Sequence, residues 1–336
     1  MKRTTLLPLL TAVGLAVTAC TSSDSSSDSS PTTLAPEPAA TDAPTTSPVG
    51  DQPPEQVDPN LAPGVLSQNS TQSFDDSVAA LTTAIEGNEA LTLVATIDHA
   101  ANAASVGLDL APTTELIFGN PMLGTPLMQA NPGTGLDLPQ KILITEDDEG
   151  AVDVYWNSAE YLRLRHGLTG VDEQLTTIAD ALTTLGNAAA GTPDALPFIG
   201  VPAEITESAG ITSASAPGTA RDAADRLIAA IDANPDLVLV AEIDHQANAG
   251  SAGLELQPII EVIFGNPNIG TPLMQANRTV GIDLPQKMLF VEGDGGVTIT
   301  YNDPTFIAER HGIDPSLPQI DMATGALAKL ATAAAG

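Results

Sequence analysis

Four histidines are the side chains of this sequence best suited to chemistry near neutral pH. They form two similar sets with a preceding aspartate: Asp98, His99 and His166 in the first half, and Asp244, His245 and His311 in the second. Histidine is the commonest metal ligand and a general base at this pH. One hypothesis therefore makes each histidine pair a metal or haem ligand set or an acid–base group. The structural alternative is that each aspartate caps a helix and that His166 and His311 end one, where a cation is favoured.

A second candidate site is the turn Phe-Gly-Asn-Pro, which precedes Gly-Thr-Pro in both halves. Its candidate ligand-binding residues are Phe118, Gly119 and Asn120, and Phe264, Gly265 and Asn266. Glycine permits a positive φ, and asparagine can hydrogen-bond within its own turn. Amides at the start of a following helix could bind an anion such as a carboxylate; the alternative is a demanding strand–turn–helix corner. We expect His99 and His245 to line an accessible polar cleft near this turn.

The sequence lacks the usual catalytic signatures. It has no Gly-x-Ser-x-Gly, Cys-x-x-Cys, phosphate loop or dinucleotide fingerprint. Its one cysteine, Cys20, precedes the folded domains, so thiol chemistry is excluded there. These absences favour a non-catalytic module that binds an unknown small ligand or an envelope protein. A metal- or haem-dependent activity of the histidine pairs is the alternative, and a passive envelope spacer is the third hypothesis.

An internal repeat organises the chain. Between positions 97 and 146, 33 of 50 residues recur 146 positions later. Tyr155 then matches Tyr301, and one residue is lost before His166 matches His311. A period this long indicates a duplicated domain rather than a solenoid. The predicted domains are residues 66–191 and 211–336, joined by a linker over 192–210.

Local patterns predict the elements of each unit. Ser73 and Thr219 have the position of helix N-caps, and apolar residues then recur at helical spacing. An alternating strand ends near Ile97, and Thr125-Pro126 is typical of a helix start. "KILITEDDEGAVDVYW" predicts a hairpin, and an amphipathic helix follows from about Asp172. The fold class is therefore α+β, in two repeated domains that are each a mainly antiparallel sheet with helices packed on it.

Several motifs together resemble one bacterial family. "IDHAANAASVGLDLAPTTELIFGNP", "GTPLMQA" and "LDLPQKIL" are similar to the domain of unknown function family 302 (DUF302), and both units carry them. The resemblance implies a compact α+β fold with helices on one face of an antiparallel sheet, and it implies no established activity. The first unit departs from the family pattern where Trp156-Asn157-Ser158 replaces Asn302-Asp303-Pro304. A site that depends on this turn is therefore expected in the second unit rather than in the first.

The N-terminal region predicts export and lipidation. Lys2 and Arg3 precede a short apolar run and "VTAC", so residues 1–19 resemble a lipoprotein signal peptide. Cys20 would then carry the lipid that anchors the protein to the extracytoplasmic face of the cell membrane. Residues 20–65 are rich in Ser, Thr, Pro and Ala, a composition typical of a disordered tether.

The net charge and the duplication indicate the kinds of partner. A formal charge of −31 disfavours nucleic acid as a partner. Two copies on one chain meet at high effective concentration. We therefore expect an intramolecular pseudo-dimer of the two repeats and a protein that is otherwise monomeric.

Overall fold

Two tandem α+β units form the described part of the chain. The computed structural model describes residues 56–200 and 205–336. The predicted signal peptide, Cys20 and most of the predicted tether lie outside these ranges. Both sheets are mainly antiparallel with helices packed on them, which confirms the fold class.

The first unit contains seven strands, five helices and a 3-10 helix. In chain order these are β1 (Gln56–Val57), β2 (Val65–Asn69), α1 (Phe74–Glu86), β3 (Thr92–Asp98), α2 (His99–Ser105), β4 (Thr113–Gly119), α3 (Pro121–Ala130), the 3-10 helix Pro132–Asp137, β5 (Gln140–Glu146), β6 (Val152–Asn157), α4 (Ala159–Arg165), α5 (Asp172–Ala190) and β7 (Phe198–Ile199).

The second unit repeats this order with five strands. Its elements are β8 (Ile211–Ala216), α6 (Ala220–Asp232), β9 (Val238–Asp244), α7 (His245–Ser251), β10 (Ile259–Gly265), α8 (Pro267–Ala276), the 3-10 helix Arg278–Asp283, β11 (Gln286–Gly293), β12 (Gly296–Asn302), α9 (Pro304–Arg310) and α10 (Pro318–Ala335). The sheet orders are β1-β7-β2-β6-β5-β4-β3 and β8-β12-β11-β10-β9, and among the described strands only β1 and β7 pair in parallel.

Each sheet is buried on both faces. Side chains alternate along a strand, so Leu116 and Phe118 of β4 join the core under α1 and α5. The alternating residues of the same strand, Glu115 and Ile117, lie on the opposite face and are equally buried. Ile117 packs there with Ile263 of the second unit. The second face of each sheet is therefore covered by the other repeat.

Reciprocal contacts join the two repeats. Lys141 donates to the carbonyl of Ile282, and its equivalent Lys287 donates to the carbonyl of Leu136. In the same way, α2 packs against α8 while α7 packs against α3. Equivalent positions of the two repeats thus make the same contacts in both directions across the interface.

Most predicted helix boundaries are confirmed. Ser73 caps α1, and Thr219 and Asp222 form a capping box at the start of α6. The helix start predicted at Thr125-Pro126 is wrong: α3 begins at Pro121, and Pro126 lies inside it. Asn120 supplies the earlier cap by accepting from the amide of Met122 at 2.9 Å. Pro126 has no amide hydrogen, so α3 lacks the backbone hydrogen bond that this position would otherwise donate.

Parts of the predicted tether and linker belong to the first sheet. β7, within residues 192–210, pairs with β2, and β1, within residues 20–65, pairs with β7. Ala62 is buried, and the carbonyl of Pro63 accepts from Arg310. Composition alone did not indicate this order, because the few apolar residues involved are stabilised by strand pairing rather than by a pattern of their own.

The hairpin register corrects the alignment of the two copies. Leu143 of β5 pairs with Tyr155, whereas its equivalent Leu289 pairs with Thr300. Tyr155 therefore corresponds to Thr300 and not to Tyr301. The residue missing from the second copy lies in the hairpin turn, where a change of length is tolerated without disturbing the strands.

Candidate functional site

His99 and His245 occupy the first positions of the short helices α2 and α7. Asp98 and Asp244 are the N-caps of these helices, and each carboxylate accepts from a backbone amide at 2.8 Å, of Ala101 and Ala247 respectively. The aspartates are exposed, whereas both imidazoles are only 4% exposed. The helix-capping role considered for Asp98 and Asp244 thus accounts for their hydrogen bonds.

Each of these histidines faces the Phe-Gly-Asn-Pro turn of the other repeat. His245 and Asp244 line one cavity with the first repeat's Phe118, Gly119 and Asn120. This smaller cavity has a volume of about 360 Å³.

His99 lines a larger cavity, of about 560 Å³, with the second repeat's Phe264, Gly265 and Asn266. We expected a polar cleft, but both cavities are walled mainly by apolar side chains. The cross-repeat arrangement follows from the packing of α2 on α8 and of α7 on α3.

Both imidazoles are neutral and lack a hydrogen-bond partner at Nε2. Burial and the positive charge of Lys141 lower the pKa of His99 to about 4, against the opposing effect of Asp98. Burial also lowers the pKa of His245 to about 4, although Asp244 opposes it. The Nε2 atom of each ring is buried, and no protein group within the described ranges hydrogen-bonds to it.

A glutamine adds a second unpartnered group to each cavity. Gln140 lines the smaller cavity and Gln286, its equivalent, lines the larger one. Nε2 of Gln140 and Oε1 of Gln286 are buried without a partner in the described structure. Neither glutamine was predicted as a site residue from the sequence. The segment Leu-Pro-Gln-Lys, which both copies retain, was the signal that could have indicated them.

The backbone amides that follow the Phe-Gly-Asn-Pro turn already donate hydrogen bonds within the protein. The amide of Met122 donates to Oδ1 of Asn120, and the amides of Leu123 and Gly124 donate to its carbonyl. Pro121 has no amide hydrogen. The start of α3 therefore has the hydrogen bonds of a strand–turn–helix corner, and the same bonds recur at the start of α8.

His166 and His311 lie in a different environment from His99 and His245. Nε2 of His166 is 2.7 Å from Oδ2 of Asp137, which also accepts from Arg165 at 2.8 Å. Burial by itself would raise the pKa of Asp137, but Arg165 and His166 outweigh it and hold that pKa well below its usual range. The imidazole is therefore the donor to an ionised carboxylate.

The second repeat has the same arrangement of His311, Asp283 and Arg310, with an imidazole–carboxylate distance of 2.8 Å. Within residues 56–200 and 205–336, no group of three or more His, Cys, Asp or Glu is placed to hold a metal ion. Metal binding by the histidine pairs stays a prediction.

A family model matches both repeats of this chain. The family model described as "Domain of unknown function DUF302" matches residues 66–185 and 211–335. The chain belongs to the DUF302 family.

Relatives of this tandem DUF302 chain include two curated proteins named "Fluoride-specific ion channel FluC 1", from Brucella suis biovar 1 (strain 1330) and Brucella abortus biovar 1 (strain 9-941). Each is 44% identical over 94 residues, which is 26% of this chain and 37% or 35% of the relative. The chain thus spans about a third of the length of these relatives.

One solved structure, an uncharacterized conserved DUF302 protein from Bacillus stearothermophilus, is similar with a TM-score of 0.35 and 15% identity. The similarity covers 38% of this chain and 98% of that one. It is too weak to support an inference about this protein.

The interface between the DUF302 repeats contains a group of buried ionisable residues. Glu115 and Glu261 are fully buried, and none of their carboxylate oxygens has a hydrogen-bond donor in the described structure. Lys141 Nζ lies 3.6 Å from Glu115 Oε1. Burial raises the pKa of each glutamate to about 8, although Lys141 and Lys287 oppose this. Both carboxyls are therefore mainly protonated at neutral pH.

Two asparagines join the DUF302 repeats by accepting hydrogen bonds from buried arginines. Arg165 donates to Oδ1 of Asn302 at 2.7 Å, and Arg310 donates to Oδ1 of Asn157 at 2.6 Å. With the corrected register, residues 157–159 are the counterpart of residues 302–304. The first repeat therefore keeps the asparagine of the family motif at this turn. The alignment predicted from the sequence, which placed Trp156 opposite Asn302, was wrong by one position.

Proposed function

We propose that this protein is a non-catalytic binding protein with two small-molecule sites, one in each cavity between its repeats. The observation that carries the proposal is the pair of buried histidines, each of which lines a mainly apolar cavity and has an Nε2 without a hydrogen-bond partner in the described structure. Both volumes lie within the range of about 300–1,000 Å³ that is typical of ligand pockets.

The physical argument concerns buried polar groups. A buried donor or acceptor without a partner costs about 1–3 kcal/mol, so native structures seldom retain one without a purpose. Here His99 and Gln286 line one cavity, and His245 and Gln140 line the other, each with one such group; Thr271 Oγ1 is a third in the larger cavity. A ligand that hydrogen-bonds to both would remove this cost and would bury its apolar part against the walls.

The state of the histidines supports binding rather than acid–base catalysis. With a pKa of about 4, His99 and His245 are weak bases at neutral pH. The same unprotonated Nε2 is a suitable metal ligand, and this supports a second candidate, a metal or haem held by one histidine in each cavity. A visible absorption band or a bound metal in the purified protein would favour that candidate.

The names of the Brucella relatives raise fluoride as a ligand. Those names describe whole proteins, of which this chain matches about a third. Fluoride is a small, strongly hydrated anion, and transfer of an anion into an apolar cavity without a cation is costly. We therefore propose an organic ligand, and saturable fluoride binding that is lost in His99→Ala and His245→Ala would contradict this.

The proposed location is the extracytoplasmic face of the membrane, through a lipid on Cys20. Across residues 56–200 and 205–336 no helix combines the length and apolar character required to span a bilayer. The support for the location is the signal-like N-terminus, with its apolar run ending at Cys20.

Native mass spectrometry of the full-length protein from its own host tests the function. We expect up to two ligand equivalents, with His99→Ala and His245→Ala each losing the ligand of one cavity and keeping the other. Each variant thus controls for the folding of the other. A protein that carries no small molecule and binds none from a host lipid and metabolite extract would contradict the proposal.

A further inference from the structure

The two cavities differ at their entrances. Val238 and Met322, which are 51% and 53% exposed, line the larger cavity. Thr92 and Thr177 occupy the equivalent positions in the first repeat. A single exposed apolar side chain needs no explanation, but these two belong to one cavity. The exposed part of the larger cavity's lining therefore includes two apolar side chains, and the equivalent residues of the first repeat are polar.

The inner part of the larger cavity is polar but uncharged. His99 is buried there, and Gln286 is its second unpartnered polar residue. Of the residues lining this cavity, the charged ones are Asp321 and Lys329, and both are exposed on α10. Lys141 acts on His99 through its charge but does not line this cavity, so a charged ligand group near His99 would have no counter-ion among the lining residues. Burial of an unpaired charge is strongly unfavourable.

The walls are aliphatic. Apart from the imidazole of His99, Phe264 is the one aromatic side chain among the residues that line the larger cavity, and Leu273, Leu327 and Leu330 contribute to the rest. Flat aromatic ligands stack on aromatic side chains, and these walls offer only one. A flexible aliphatic chain makes good contact with such walls.

We propose that the larger cavity binds an uncharged aliphatic amphiphile, whose neutral polar end hydrogen-bonds to His99 and Gln286 and whose chain leaves past Val238 and Met322. This rests on the proposed binding function and specifies the ligand class of one of its two sites. A hydroxyl suits the inner end, because it can donate to Oε1 of Gln286 and accept from the neutral imidazole of His99.

Calorimetric titration of the full-length protein with hexanol, octanol and decanol tests the class of ligand. We expect the affinity to rise about fourfold for each added methylene. Octanoate and decanoate, which have the same chain lengths with a carboxylate at the end, should bind at least tenfold more weakly at neutral pH. Carboxylates that bind as tightly as the alcohols would overturn the proposal and would indicate that Lys329 receives the head group.

NMR of the imidazole rings tests the position of the ligand. The chain has four histidines, so single His→Gln variants can assign their signals. Decanol should shift the His99 signals and leave those of His166 and His311 unchanged. Decanol binding without a shift at His99 would overturn the proposal, even if the affinity is high.

A double substitution that installs the first repeat's residues, Val238→Thr with Met322→Thr, tests the entrance. Both positions are exposed, so the fold should be retained. Decanol should lose at least tenfold in affinity while hexanol loses little. Equal losses for both alcohols would contradict the proposed path of the chain.

The failure of this inference can be separated from failure of the binding function. If alcohols do not bind but a co-purified ligand is lost in His99→Ala, the binding function stands and the ligand class is wrong. If no ligand of either kind depends on His99 or His245, both proposals fail.

Discussion

At the scale of single residues, the buried glutamates make stability depend on pH. Glu115 and Glu261 have a folded-state pKa of about 8, above their ordinary value of 4.5. Their contribution to stability is therefore complete below pH 4.5 and is lost as the pH rises through 8. His99 and His245, with a pKa lowered from 6.5 to about 4, act in the opposite direction between those two values.

We expect the free energy of unfolding to fall by on the order of 3 kcal/mol as the pH rises from 6.5 through 8. In this window the exposed carboxylates are ionised in both states. The pKa of Lys287, which burial lowers, acts in the opposite direction as the pH rises. Urea unfolding across the pH range measures it. Glu115→Gln with Glu261→Gln imitates the protonated state and should remove the slope; an unchanged slope would contradict the assignment.

The buried ion pair of Asp137 and Arg165 should contribute far more to stability than a surface pair. Asp137→Asn leaves Arg165 and its charge buried without a counter-ion, and breaking a buried pair costs about 3–5 kcal/mol. Glu160→Gln, which breaks the exposed pair with Arg163, is the matched control and should cost about 0–1 kcal/mol. Denaturant midpoints of the two variants decide the comparison, and similar losses would contradict it.

At the scale of elements, the packing of α5 on β6 depends on a size match. A Cβ on Gly186 would lie 2.5 Å from the ring of Trp156. The second repeat has the smaller Tyr301 and the larger Ala331 at the corresponding positions, both in one core cluster. Each repeat therefore fills this part of its core with a different pair of residues.

We predict that Gly186→Ala alone destabilises the protein by about 1–3 kcal/mol, because overpacking displaces the indole or the helix. Gly186→Ala combined with Trp156→Tyr, which copies the second repeat, should recover part of the loss. Thermal unfolding of the two single variants and the double variant measures the coupling. Additive losses would show that the two positions do not compensate for one another.

At the scale of the whole molecule, each repeat buries polar and charged groups that the other repeat covers. Lys287 of the second repeat donates to Leu136 of the first, and Glu261 lies on the face covered by the first repeat. Residues 211–336 expressed alone should therefore self-associate or lose stability. Sedimentation and thermal unfolding test this, with the full chain as the control. A single repeat that is monomeric and as heat-resistant as the full chain would contradict the prediction.

The predicted lipid anchor concerns the location of the whole molecule. Cys20→Ser should release the protein from the membrane fraction or block its processing, because the lipid would attach to the cysteine thiol. Fractionation of host cells measures this. His99→Ala, which leaves the N-terminus unchanged, is the control and should remain with the membranes; a Cys20→Ser protein that also remains there would contradict the anchor.

The sequence by itself determined the features that depend on neighbouring residues. Capping at Ser73 and Thr219, the hairpins, the α5 helix and the duplication follow from short patterns, and the structure has them. The helix start predicted at Thr125-Pro126 was wrong because Asn120 and Pro121 provide an earlier start signal for the same helix.

Only the tertiary structure decided which repeat completes each candidate site. His99 and His245 were identified from their residue type and recurrence, but each faces the turn of the other copy. A duplicated sequence contains the same residues whether a site closes within one copy or between the two, so the alternatives have the same pattern. The contacts that distinguish them, such as Lys141 with Ile282, join residues 141 positions apart and form only when the two sheets pack together.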